Sequence, residues 1–227
     1  MFLLASTTGV KAQNKFDVNL QLQSMHYWRG LRVSDGMLTA TSIGYYSKNL
    51  SIYGWGGLSF NGDYKEVTGV VTYSYNHLGV QLSDIFNFSG TDSIKYFDYK
   101  RDETLHLVDL SLLYHFSFMN ISWSTIVYGN DCIPGTSKQR YSTYVEFGVP
   151  LKINDSSVTP FIAPAFVLNS DAKTMLYGDN DKIGIANVGI KVSKTLLVNQ
   201  YSFPVSAVLG FNPSLNQASI QLLIDLF

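Results

Sequence analysis

An alternation of apolar and polar residues, repeated about a dozen times, constrains this chain more than any other feature. In "KFDVNLQLQ", Phe16, Val18, Leu20 and Leu22 alternate with Asp17, Asn19, Gln21 and Gln23. A period of two belongs to a strand with one apolar and one polar face. The first strand is read from residue 15 to residue 30, ending in Trp28, Arg29 and Gly30. Similar alternation covers residues 50–61, 66–76, 104–116, 119–128, 140–151, 183–195 and 201–211, and continues from 218 to the end. Less regular segments lie at 37–46, from 78 onward, and at 157–166, where Pro160 and Pro164 blur the pattern. The expected count is about twelve strands, with ten or fourteen as alternatives.

The connections alternate in length. "SKN", "NH" and "SF" are short, whereas "SGTDSIKYFDYKRD", "NDCIPGTSKQ" and "VLNSDAKTMLYGDND" are long. Short turns at one end and long loops at the other mark transmembrane barrels. An even strand number brings both termini to one end, the periplasmic end for an exported chain.

Composition then bears on what the two faces meet. Charged residues make up 15% of the chain, against about 25% in soluble domains. The polar faces carry Ser, Thr, Asn, Gln and Gly rather than the Lys and Glu that guard exposed sheets. The apolar faces end in aromatics: Trp28, Phe60, Tyr75, Phe86, Tyr114, Trp123, Tyr141 and Phe211. Aromatics at strand ends suit the two girdles where a bilayer meets water. The fold expected is therefore all-β, a transmembrane antiparallel up-and-down β-barrel in the outer membrane of a Gram-negative bacterium. A soluble sandwich or a lipocalin-like barrel is the competing arrangement.

The start of the chain, "MFLLASTTGVKAQ", reads as a secretory signal peptide over residues 1–12, cleaved before Gln13, with one barrel domain over 13–227. A net charge of -1 offers no field for nucleic acid. The lone Cys132 forms no internal disulfide and makes no metal or redox motif. Phosphate-cradling glycine motifs are absent, so no cofactor is expected. Outer-membrane lipids and lipopolysaccharide are the expected surroundings. Phe227 is the expected contact with the barrel-assembly machinery.

The stretches "YWRGLRVSDG", "LSIYGWGGLSFNGDYKEV" and "SDIFNF" resemble the TorF-like family of outer-membrane porins, over about residues 27–88. The "VKAQ" region is similar to Bacteroidota signal peptides. The resemblance implies a barrel of about twelve strands in the outer membrane and carries over no functional residue.

With the apolar faces on lipid, parity puts Tyr27, Arg29, Tyr53, Trp55, Glu66, Asp109, Arg140, Glu146 and Lys191 into the lumen as pore-lining candidates. Arg29 is expected to pair with Glu66. Opposite charges across a bore favour dipolar solutes, but buried charges also pair simply to avoid isolation. The leading expectation is a porin that passes small polar solutes. A non-conducting structural or surface-binding barrel that acts through its loops is the first alternative. The second is a lipid-modifying enzyme using His26, which parity places on the outer rim; no catalytic or metal-binding motif is present. Asp84 breaks phase with Leu82 and Phe86, and a bulge or a rim position is expected there.

Overall fold

The computed structural model describes residues 15–91, 94–101, 103–179 and 181–227. The expected leader, residues 1–12, lies outside them. Fifteen strands follow in order: β1 (Lys15–Gln23), β2 (His26–Trp28), β3 (Leu31–Ser34), β4 (Leu38–Tyr46), β5 (Leu50–Ser59), β6 (Lys65–Tyr75), β7 (Leu78–Asn87), β8 (His106–His115), β9 (Asn120–Gly129), β10 (Ser142–Gly148), β11 (Leu151–Ile153), β12 (Ser156–Val167), β13 (Ile183–Val198), β14 (Tyr201–Asn212) and β15 (Gln217–Asp225). All neighbours in the wall are antiparallel, and β10 closes onto β12. The result is a closed barrel of twelve staves. Strands β10 and β11 make one stave, interrupted at Val149–Pro150. Strands β2 and β3 form a separate two-stranded sheet.

The period-two pattern maps onto the wall. Phe16, Ile43, Ile52, Leu58, Val71, Leu82, Leu112, Leu209, Ile220 and Leu222 face outward and are exposed. Gln21, Ser42, Ser59, Thr68, Ser83, Ser111, Ser124, Asn187 and Gln221 face inward and are buried. So continuous an exposed apolar face has no place on a soluble monomer. Tyr73, Tyr75, Tyr114, Phe116 and Tyr201 ring the terminus-bearing end, and Phe60, Phe211 and Tyr141 stand toward the other.

One joint differs from the rest. Strand β1 meets β4 along its whole length, from Lys15 to Gln23. It is in register with β15 only at Gln21–Gln23, opposite Asp225, Ile224 and Leu223. Backbone bonds of Leu20 to Leu226 and Phe227, and of Ser24 to Leu222, extend that joint slightly.

Among the described residues, two bulges interrupt the ladders of the wall. One lies between β8 and β9, leaving Val127 unpaired beside Asp109. The other lies between β12 and β13, leaving Ala186 unpaired opposite Pro164, which has no N–H to give. No bulge occurs at Asp84, which pairs with Gly69 and Val108 in unbroken register. Its outward carboxylate is instead covered. His106 Nδ1 lies 2.7 Å from Asp84 Oδ1, and the Tyr99 hydroxyl donates to Oδ2 at 2.6 Å. His106 Nε2 meets the Tyr96 carbonyl at 2.6 Å. The stretch 94–101 thus folds back over the outer wall and covers both polar side chains.

Candidate functional site

The connection between β1 and β4 does not stay at the rim. It folds into the barrel as the hairpin β2–β3, and Met25, His26 and Tyr27 are all buried. Trp28 pairs with Leu31, leaving Arg29 and Gly30 as a two-residue turn. Both have positive φ, 50° and 85°, as a type I′ hairpin turn requires. A Cβ on Gly30 would collide with the carbonyl oxygen of Ala186, the bulged residue of the wall. On the wall, Gly210 leaves room for the Tyr27 hydroxyl, which a Cβ there would strike. The hairpin is fitted to the wall at two glycines.

Arg29 stands at the tip in the left-handed region, uncommon for a non-glycine residue. That conformation aims its guanidinium at Asp109. Nη1 donates to Oδ2 at 2.7 Å and Nη2 to Oδ1 at 3.0 Å, the bidentate geometry that suits arginine. Nη1 also donates to the Tyr177 hydroxyl at 3.0 Å. The guanidinium lies 4.8 Å from the Trp28 ring centroid and 5.7 Å from that of Tyr144. Ser111 adds a 2.7 Å bond to Asp109. Burial, the largest influence, pushes the Tyr177 hydroxyl up to about 12, so it stays protonated and can donate in turn.

A second inward segment locks the first. Met175 and Tyr177, from the connection before β13, are buried against Tyr144, Ala163, Ala165 and Ala186, with Trp28 and Leu31 packed alongside. Asn212 donates to the carbonyls of both Gly30 and Tyr177, at 3.3 and 3.0 Å. Hairpin and segment together make a stopper across the loop-bearing half of the lumen.

Two hydrogen-bond chains descend from the stopper. In the first, the Tyr27 hydroxyl donates to Asn187 Oδ1 at 2.5 Å and Asn187 Nδ2 to the Tyr144 hydroxyl at 3.1 Å. The Tyr144 hydroxyl then donates to Glu146 Oε2 at 2.6 Å. In the second, Gln221 donates to the Met25 carbonyl at 2.8 Å and to Gln23 at 3.0 Å. Gln23 donates to Gln21, and Gln21 to Asp225, each at 2.6 Å. Below both chains the inward side chains are more open to water, Ser74, His115, Ser157 and Ser193 among them.

The nine pore-lining candidates divide accordingly. Tyr27 and Arg29 belong to the stopper, not to the wall. Tyr53 and Trp55 face inward from β5, Tyr53 stacked on Tyr46 and Trp55 beside His26. Glu66 faces inward but does not meet Arg29. It accepts from Thr68 at 3.1 Å and from Asn87 at 3.4 Å, and Asp109 is the arginine's partner. Asp109, Glu146 and Lys191 point inward from β8, β10 and β13. Arg140 precedes β10 and bonds Asp131 at 2.8 Å in the loop region. There burial holds the Asp131 carboxyl above its ordinary value, against bonds from Ser142 and Arg140.

Three expectations about the first connection are corrected. The first strand ends at Gln23, not at Gly30. Trp28 is not an interface anchor but packs 5.8 Å from the Tyr177 ring inside the barrel. His26 is not on the outer rim. It lies between Trp55 and Tyr64, at 5.5 and 5.0 Å, and burial pushes its ring down to about 3. The parity argument failed because the chain turns inward at Ser24. Sequence reasoning also passed over Tyr177, Asn187 and Asp225. Asn187 carried a signal, being polar in the inward phase of β13; Tyr177 lies in a connection with no period to read.

No protein-family model matches the chain, so the TorF-like resemblance gains no support there. The comparison with curated proteins returns no match either. Among solved structures, one match is Wzi of Escherichia coli, described as a carbohydrate-binding β-barrel of the outer membrane involved in group 1 capsule assembly. Identity is 10%, the TM-score is 0.36, and the alignment covers 93% of this chain but 56% of that one. At that identity and TM-score the likeness says nothing about what this chain binds.

Proposed function

We propose that this protein is an outer-membrane barrel closed by its own stopper, silent to diffusing solutes at rest and active through its loop-bearing end. The observation that carries this reading is the Arg29 tip held inside the lumen by Asp109 and Tyr177. The outer-membrane setting is supported by the closed ladder and the exposed apolar wall, since only helices and closed barrels satisfy every backbone group in lipid. Free diffusion needs a water-filled bore, and here aromatic and charged side chains occupy it. The lipid-modifying alternative loses its histidine, because His26 is interior and sheltered.

A narrow channel remains the second reading. It is favoured by the Ser, Thr, Gln and Asn side chains below the stopper, and it requires the hairpin to move. Planar-bilayer recording separates the two. Wild type should give no steady current in KCl, and Arg29→Ala should give frequent openings. A steady current through wild type sinks the stoppered reading and favours the channel.

A further inference from the structure

Lys191 faces inward from β13, between Thr159 on β12 and Val208 on β14. Among the described residues its ammonium has no hydrogen bond and no ion pair within 4.0 Å. Partly buried ammonium groups normally find a partner, because desolvation is costly. Glu146 and Asp225 face the same lumen from β10 and β15, near enough for their charge to reach the Lys191 ammonium. Each carboxylate is held back by the wall. Tyr144 fixes Glu146 through Oε2, and Gln21 fixes Asp225 through Oδ1. The other oxygen of each accepts no bond among the described residues. Three N–H donors and two carboxylate oxygens without a partner among the described residues therefore face the lumen beneath the stopper. Ser193 and Ser206, whose hydroxyls lie 2.8 Å apart, add neutral hydrogen-bonding groups on the same wall.

This arrangement lacks a molecule that carries both charges. A lone anion would satisfy Lys191 and be repelled by the carboxylates; a lone cation would meet the reverse. We propose that the lumen below the stopper is a binding cup for small zwitterions, entered from the terminus-bearing end, with the solute's carboxylate on Lys191 and its ammonium on Glu146 or Asp225. The cup needs only a seated stopper as its floor, and bilayer recording tests that seating separately. A leaking wild type overturns the stopper; a silent barrel that binds no zwitterion overturns the cup.

The test is calorimetric titration of the full chain in detergent with L-alanine, and with acetate and ethylammonium as single-charge probes. Alanine should bind, and each single-charge probe should bind more weakly. Removing one charge-assisted contact should weaken alanine roughly tenfold or more, so Lys191→Met should show that loss. Glu146→Gln together with Asp225→Asn should show a comparable one. Lys191→Arg keeps the charge and should keep binding, which separates lost recognition from lost folding. The cup is overturned by the absence of alanine binding, by equal affinity in wild type and Lys191→Met, or by acetate binding as tightly as alanine.

Discussion

At the scale of single residues, the pair Arg29–Asp109 sets the energetics of the stopper. The arginine side chain is 14% exposed and the aspartate 1%. Removing one partner of such a pair leaves the other charged and sheltered, at a cost of about 3–5 kcal/mol. Asp109→Ala should therefore lower the barrel's unfolding midpoint in urea, read by the shift between folded and unfolded bands on a cold gel. A loss under about 1 kcal/mol would mean that water already reaches the guanidinium. Replacing both partners by apolar residues of similar size should recover much of the loss, because no buried charge is then orphaned. The inward phase of Asp109 was legible in the sequence, since it alternates with Val108 and Leu110. Its partner was not. Arg29 shares that phase only by extrapolating β1 past Ser24, where the chain has already left the wall.

At the scale of elements, the staves were legible because one physical demand runs through all of them. Each must show lipid-compatible groups on one side and hydrogen-bonding groups on the other, and that demand writes a period of two. The hairpin β2–β3 escapes this reading. Its strands have three and four residues, too few to show a period, and its turn is Arg-Gly rather than the Asn-Gly or Asp-Gly that announces a hairpin. The connections outside the stopper are tied more loosely. Lys138 and Asp171 join two of them at 2.9 Å, with both side chains largely in water. The bond and charge of Lys138 hold the Asp171 carboxyl below its ordinary 3.8. A carboxyl depressed in the fold contributes stability above its unfolded value, and that contribution is lost as pH falls through the lower, folded value. Amide exchange in residues 168–172 should therefore quicken relative to the wall strands as pH drops below 3.8. Unchanged relative protection would show that the pair does not restrain the loops.

At the scale of the whole molecule, twelve staves put the start of β1, the end of β15 and the tightest turns between staves at one end. Asp63 and Lys48 lie on opposite ends of the wall and are both exposed. In a Cys132→Ser background, Asp63→Cys should react with a membrane-impermeant maleimide on intact cells, and Lys48→Cys only after the outer membrane is broken. The reverse pattern would invert the barrel and turn the zwitterion cup toward the outside. The short joint between β1 and β15 has a different consequence. Every other joint links strands that are consecutive staves in the sequence, whereas this one must bring together segments about two hundred residues apart, and the entropy of closing so long a loop is set against only a few ladder bonds. It is the zip of the cylinder: the last edge to fasten as the sheet curls during assembly, and the first to part when the wall is pulled sideways.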